Sequence, residues 1–346
     1  MDFSPFDSKK WLTHYEDLSK LPRGETVHPW AISLDPAAIC DLSCSFCNST
    51  PILDGSVYDR IMIDKITALC ETWHVKTACI GGGGEPTLCK DLGYLIDSLY
   101  FLSVKMGMVT SGQHLDKHLS SLHKLSWIGI SVDAGCSDTY LLVKGGTGQQ
   151  WLHLLDNIQT ATHLPDAPLI EYKFLVTVDN YREVYRACEV ARGLMCDCVH
   201  IRPGTTPTYQ HEVTDFGYTH ELHQSVLTQV SKARVDLESD DFKIHCITDK
   251  YAPGFLTHNP FKKCWAGLMS PTIMASGQVI WCCTGRYRKE THLCHIDDIH
   301  TMWGSQAHKD ACAAIDPINC PQCTYGPINE IVEGAIITDT WGRDFM

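Results

Sequence analysis

The chain has 346 residues, 44% of them hydrophobic, and a formal net charge of −13. That length suits an α/β barrel with an appendage and the apolar content is enough for a large core. The acidic balance, with no Lys/Arg block, disfavours a nucleic-acid binder, because tracking a phosphate backbone needs clustered positive charge.

Eighteen cysteines in so large a chain point to a reducing compartment rather than a disulfide scaffold. The opening Met1-Asp-Phe-Ser-Pro-Phe6 lacks the basic and apolar parts of a secretion signal, and no apolar run reaches the roughly 20 residues that span a bilayer. A cytoplasmic, soluble protein is expected.

Residues 1–28 are expected to be an N-terminal extension. From 29 to 203, short β-rich runs alternate with amphipathic segments of helical length, the pattern of βα units around a parallel sheet. Six runs are expected as strands: Trp30–Leu34, Lys76–Ile80, Lys105–Val109, Trp127–Val132, Ile170–Val176 and Cys198–Arg202. Between the first two, Ile63, Ile66, Leu69, Cys70 and Trp73 recur at helical spacing, and between the last two Val184, Ala187, Cys188, Ala191 and Leu194 do the same. The expected fold is a partial (β/α)6 TIM-like barrel, with catalytic groups in the loops after the strands. Residues 204–262 read as a bridge containing a helix near Tyr218–Ala233. Residues 263–346 read as a small β-hairpin/helix domain, with Thr272–Trp281 as a hairpin turned at Ser276-Gly277.

Cys40, Cys44 and Cys47 follow the first strand in CxxxCxxC spacing. Three thiolates are one short of a closed zinc or four-iron site, so a coordination position stays open. After the second strand come Gly81 to Gly84, Glu85 and Pro86, where glycine backbone admits close approach of a ligand and Glu85 offers a carboxylate to an ammonium group. Thr110-Ser-Gly112 follows the third strand, and Ser131-Val-Asp133 ends the fourth.

CxxxCxxC with Phe46 before its last cysteine, followed by Gly83-Gly-Glu-Pro86, resembles the radical S-adenosylmethionine (radical SAM) superfamily, and the strand order agrees over most of the chain. The resemblance implies a [4Fe-4S] cluster on Cys40, Cys44 and Cys47, with the fourth iron left for S-adenosylmethionine. It also implies reductive cleavage to a 5′-deoxyadenosyl radical that abstracts hydrogen from substrate. Phe46, Gly83, Gly84, Glu85, Pro86, Thr110, Ser131 and Asp133 are the implied cofactor contacts; a strand-end cap for Ser131 and Asp133, and a turn for Thr110, are the bland alternatives. Lys173 and Arg202, near the ends of the fifth and sixth strands, are candidates for binding the carboxylate of the cofactor or an anionic substrate, against a solvated or core-paired charge.

Cys264, Cys282 and the pair Cys320 and Cys323 resemble the twitch domain, a shortened SPASM domain, which implies one auxiliary [4Fe-4S] cluster; a zinc ribbon is the alternative. Cys283 and Cys294 are candidate hydrogen donors, with Cys246 and Cys312 weaker ones, while Cys70 and Cys188 read as small buried hydrophobes. The eighteen histidines show no compact metal spacing.

The implied activity is oxidation or epimerisation of a small polar metabolite: a sugar, aminocyclitol or nucleotide-linked sugar. A flavodoxin or ferredoxin is the expected electron donor. Maturation of a ribosomally made peptide is the alternative, weakened because the 39 residues ahead of Cys40 are too few for a peptide-recognition module. A non-catalytic iron–sulfur or zinc scaffold is the other, and it gains nothing from an incomplete ligand set.

Overall fold

The computed structural model describes residues 8–204, 219–247, 261–317 and 325–337, together with Cys320 and Cys323. Seven parallel strands run in sequence order: β1 (Ala31–Leu34), β2 (Thr77–Ile80), β3 (Lys105–Thr110), β4 (Trp127–Ser131), β5 (Leu169–Val176), β6 (Cys198–Pro203) and β7 (Lys243–Cys246). All six expected strands are present within a residue or two. β7 is an addition: the stretch read as a bridge supplies a seventh strand and the helix His220–Leu237. It escaped the sequence pattern because its four residues, Lys-Ile-His-Cys, hold one fully buried apolar side chain, Ile244.

The hairpin also forms, as β8 (Thr272–Ile273) and β9 (Gln278–Ile280), with the turn closed by Gly277 N–H to Met274 O and Gly277 at φ +83°. It does not found a sheet of its own. β8 pairs parallel with β1, Ser33 beside Thr272, and β10 (His292–His295) pairs antiparallel with β9. The ten strands make one sheet, ordered β10-β9-β8-β1-β2-β3-β4-β5-β6-β7, and among the described residues β10 and β7 do not pair. This is a mixed α/β fold with an open, TIM-like parallel barrel.

One strand face is apolar and covered by helices. Arg60–Trp73 buries Ile63, Ile66, Leu69, Cys70 and Trp73, the expected stripe; Asp59 caps its start by accepting from Met62 N–H at 2.8 Å, and His74 ends it in the left-handed region. Val184–Gly193 buries Val184, Ala187, Cys188 and Ala191, while Leu194 falls just past its end, half-buried. These stripes meet Ile32, Leu34, Ile80, Met108, Ile130, Phe174 and Ile201 in a single core. Each Val, Leu, Ile, Phe or Met so buried contributes about 1.5–3 kcal/mol.

Because side chains alternate along a strand, the opposite face carries Ser33, Cys79, Gly129, Glu171, Lys173, His200 and Arg202. A parallel sheet normally reads apolar on both faces, so this polar side belongs to a cavity. The N-terminal extension leads into β1 and packs Leu18, Leu21, Val27 and Trp30 against Trp265, Met269, Val332 and Ile336 in a second apolar cluster.

Candidate functional site

The cysteine loop leaves the end of β1 and is fixed mainly by backbone. Glu85 N–H donates to Ile39 O at 2.8 Å, Ser43 N–H to Lys144 O at 3.1 Å, and Ser45 N–H to Val143 O at 3.0 Å. Asp41 meets the ring of His114 at 2.9 Å. Cys47 N–H turns back to Cys44 O at 3.1 Å, and the Cys47 sulfur accepts Ser49 N–H at 3.4 Å. Lys144 Nζ lies 5.6 Å from the Phe46 ring centre.

The glycine run crosses this loop. Gly82 and Gly83 take φ of +60° and +69°, a conformation costly for other residues. At Gly84 the constraint is space: an added Cβ would overlap the Ile39 carbonyl oxygen and stand 2.7 Å from the Ile39 nitrogen. Gly84→Ala is therefore expected to pry the two loops apart and lower S-adenosylmethionine affinity at least tenfold, with the helical circular-dichroism signal retained. Unchanged binding in a titration would show that the loops do not form one site.

Glu85 is buried, and its carboxylate is already occupied. It accepts from Thr87 N–H at 3.1 Å, from the hydroxyls of Thr87 and Thr110, and from Ser111 N–H at 2.7 Å. The Thr110 hydroxyl accepts Gly112 N–H at 3.0 Å as well. Glu85 and Thr110 thus pin the loop after β3 to the glycine run. Pro86 opens the short turn that follows.

Asp133 has a similar internal task. It sits at φ +59° with no exposure, pairs with Lys144 Nζ at 2.8 Å, and accepts Leu175 N–H at 2.8 Å. Burial opposes charge on Lys144, yet Asp133 and Cys44 beside it hold its pKa above the usual lysine value. Ser131 stays on the polar face, in register with Lys173.

Burial pushes the Cys40 thiol up to about 11 and raises that of Cys44. The surroundings alone thus favour neutral thiols, so thiolates here require the positive charge of a metal centre. Among the described residues no group of three His, Cys, Asp or Glu side chains stands ready to hold a single metal ion. The loop offers three thiols, while its one carboxylate, Asp41, is turned to His114, and an all-thiol set suits iron–sulfur ligation.

The C-terminal cysteines also gather. Each of Cys264, Cys282 and Cys323 lies close enough to another of the set for ionisation of one to oppose that of the other, and Cys320 acts so on both Cys264 and Cys323. Burial raises Cys264 and takes Cys282 and Cys323 to about 12. Donors converge on the sulfurs. Arg288 reaches Cys320 at 3.4 Å, and the buried Asn329 amide stands 4.0 and 3.9 Å from Cys264 and Cys323. The Asn329 oxygen is fixed by Trp265 and Ala266 N–H groups at 2.7 and 2.9 Å. The buried indole N–H of Trp281 has no hydrogen-bond partner of normal geometry, and it favours the anionic form of Cys264. Such N–H donors tune iron–sulfur centres.

Cys283 and Cys294 part company. Cys283 lies 4.0 Å from the Tyr325 hydroxyl and is among the neighbours that oppose ionisation of Cys79 on the polar strand face. Cys294 lies on β10, packed against the main core with Asp298 as its charged neighbour. Cys246 sits on β7, and Cys312 is buried beside His308 and Cys264.

A pair that the sequence did not reveal joins the two cysteine sets. Asp35, just past β1, is buried and paired with Arg286, two residues beyond Thr284. Arg286 Nη2 donates to Asp35 Oδ1 at 2.8 Å, Nε donates to Oδ2, and Nη1 donates to Cys283 O. The guanidinium covers Gly82, where a Cβ would overlap it.

Residues 35–163 match the family model of the Radical SAM superfamily, a span holding the cysteine loop, the glycine run, Thr110 and Asp133. The chain carries a radical SAM domain. An S-adenosylmethionine-dependent nucleotide dehydratase of Flammeovirga pacifica is 27% identical over 139 residues, 38% of this chain and 47% of that protein. A probable GTP 3′,8-cyclase of Saccharolobus islandicus is 25% identical over 170 residues, 47% of this chain and 53% of that protein. The chain thus spans about half the length of these curated relatives. The structure of Streptococcus suis SuiB bound to precursor peptide SuiA matches with a TM-score of 0.65 at 14% identity, over 91% of this chain and 74% of that one. That likeness is one of fold. No helix among the described residues is long and apolar enough to cross a membrane.

Proposed function

We propose that this radical SAM protein oxidises or epimerises a small polar substrate, with a nucleotide-linked sugar as the favoured class. The observation that carries the reading is the meeting of the cysteine loop and the glycine run at the strand ends, above a polar strand face. Cys40, Cys44 and Cys47 would hold a [4Fe-4S] cluster, which when bound supplies the electron that cleaves S-adenosylmethionine to a 5′-deoxyadenosyl radical. The glycine backbone and Ser131 line the place for that cofactor. Glu85, Thr110, Asp133 and Lys144 keep the surrounding loops in position.

Cys264, Cys282, Cys320 and Cys323 would hold an auxiliary cluster of twitch type, able to take the second electron of an oxidation. Cys283 is the better placed candidate for a hydrogen donor in an epimerisation, since it borders Cys79 while Cys294 faces the core. The two curated relatives, named for nucleotide substrates, support the nucleotide-linked class over a free sugar. The electron would come from a donor of the flavodoxin or ferredoxin type.

Anaerobic reconstitution is expected to give about eight irons per chain. Dithionite with S-adenosylmethionine should then release 5′-deoxyadenosine, and a deuterated substrate of the right class should pass its label into it. An intact cluster that yields no 5′-deoxyadenosine would leave a scaffold as the better reading, and stoichiometric zinc with about four irons would replace the auxiliary cluster by a zinc ribbon. Label transfer from a peptide alone would favour peptide maturation.

A further inference from the structure

The polar strand face holds a charge arrangement that neither cysteine set explains. Parallel register places Lys173 of β5 beside His200 of β6, and Leu175 beside Arg202 one step nearer the strand ends. Glu171 is gripped from two sides, by Lys173 Nζ at 3.0 Å and by His200 Nδ1 at 2.8 Å. β4 makes room for this group by offering no side chain: a Cβ on Gly129 would stand 2.7 Å from Lys173 Cδ and 2.9 Å from Glu171 Oε2.

Glu171, Lys173 and His200 are all buried. Burial opposes the charge on Glu171, but His200 and Lys173 hold its carboxyl down at about 2. Burial takes His200 down to about 4, so the imidazole is neutral near pH 7. Burial lowers the Lys173 pKa, Glu171 at 3.0 Å opposes the drop, and the ion pair between them cancels. Arg202 is left as the uncompensated charge of this group: it is half-buried, it repels charge on both Lys173 and His200, and no carboxylate among the described residues pairs with it. A partly desolvated guanidinium without an anion is costly, and its planar fork suits a carboxylate or phosphate. The chain as a whole is strongly acidic, so this positive spot is a local construction and not part of a general basic surface.

We infer that Arg202, backed by the fixed Lys173–Glu171–His200 group, anchors an anionic group of the substrate, a phosphate or a carboxylate. The inference rests on the proposed reading in placing the reaction at the strand ends, and it narrows the substrate to an anionic metabolite.

The test titrates the reconstituted full chain with inorganic phosphate and, separately, with malonate, followed by calorimetry or ligand NMR. The parent should bind at least one of them, and which one tells phosphate from carboxylate. Arg202→Gln should weaken that binding about tenfold or more, and Arg202→Lys, which keeps the charge but not the fork, should fall between. Affinity for S-adenosylmethionine is measured alongside. Equal anion binding in the parent and Arg202→Gln overturns the inference. So does a parallel loss of S-adenosylmethionine affinity, which would give the arginine to the cofactor carboxylate. A parent that binds the anion through Arg202 yet never cleaves S-adenosylmethionine supports the anion site and refutes the proposed reaction. If Arg202→Gln does not fold, Arg202→Lys alone decides, since undiminished anion binding there removes the need for a fork.

Discussion

A Cys44→Ala protein is expected to fold and to lose 5′-deoxyadenosine formation by about a thousandfold or more, whereas Cys320→Ala keeps a measurable fraction of it. The asymmetry follows from how each cysteine is held. The loop of Cys40, Cys44 and Cys47 is positioned by the backbone of Ile39, Ser43 and Ser45, so removing one sulfur spares the scaffold and deletes a ligand from a site that already has only three. A thousandfold loss corresponds to about 4 kcal/mol in barrier. Cys320 belongs to the other set, where Arg288 is among its partners, and its loss should halve the iron from about eight to about four per chain while leaving the first site loaded. Product formation on substrate should then fall further than cofactor cleavage does. Iron analysis and chromatography of 5′-deoxyadenosine read both quantities, and equal losses in the two variants would refute a scheme with two distinct centres.

The parts of this site that could be read from the sequence are those encoded by neighbours in the chain. Six strands were legible because each is a short apolar run between helices with one buried stripe. The cysteine and glycine motifs were legible because their spacing carries the chemistry. The directions of side chains were not. Thr110 and Asp133 stand where the motif places cofactor contacts, yet the hydroxyl of one is spent on Glu85 and Gly112, and the left-handed backbone of the other turns its carboxylate toward Lys144. Pairings between distant segments were equally hidden: β8 beside β1, Asn329 beside Cys264, and Arg286 beside Asp35 are set by tertiary packing, for which no local period exists. The polar face of β5 and β6 lies between. Its alternation was present in the sequence as Glu171, Lys173, His200 and Arg202, but only the register and the side-chain distances show that Glu171 meets Lys173 and His200 while Arg202 stands one step nearer the strand ends.

Breaking the buried Asp35–Arg286 pair should be costly. Its two side chains are 2% and 17% exposed, and removing the arginine strands a buried carboxylate. Loss of one partner from such a pair costs about 3–5 kcal/mol, so Arg286→Ala should be destabilised by that order in denaturant unfolding. Burial raises the Asp35 pKa and Arg286 opposes the rise. Without the arginine it climbs further, and the folded state binds the proton more tightly than the unfolded chain. The deficit of Arg286→Ala is therefore largest above the raised pKa and shrinks as pH falls toward the unfolded value of about 3.9. Asp35→Asn combined with Arg286→Ala should recover much of the loss at neutral pH, because an amide in that place carries no charge to desolvate. Arg286→Lys should not, since one ammonium cannot reproduce the fork on Asp35 together with the bond to Cys283 O. The guanidinium also covers Gly82, so Arg286→Ala should weaken S-adenosylmethionine binding even at the pH where stability is regained. If the double variant is no more stable than Arg286→Ala, the stranded carboxylate is not the cause. If cofactor affinity returns together with stability, Arg286 serves the fold alone and does not couple the C-terminal cysteines to the glycine run.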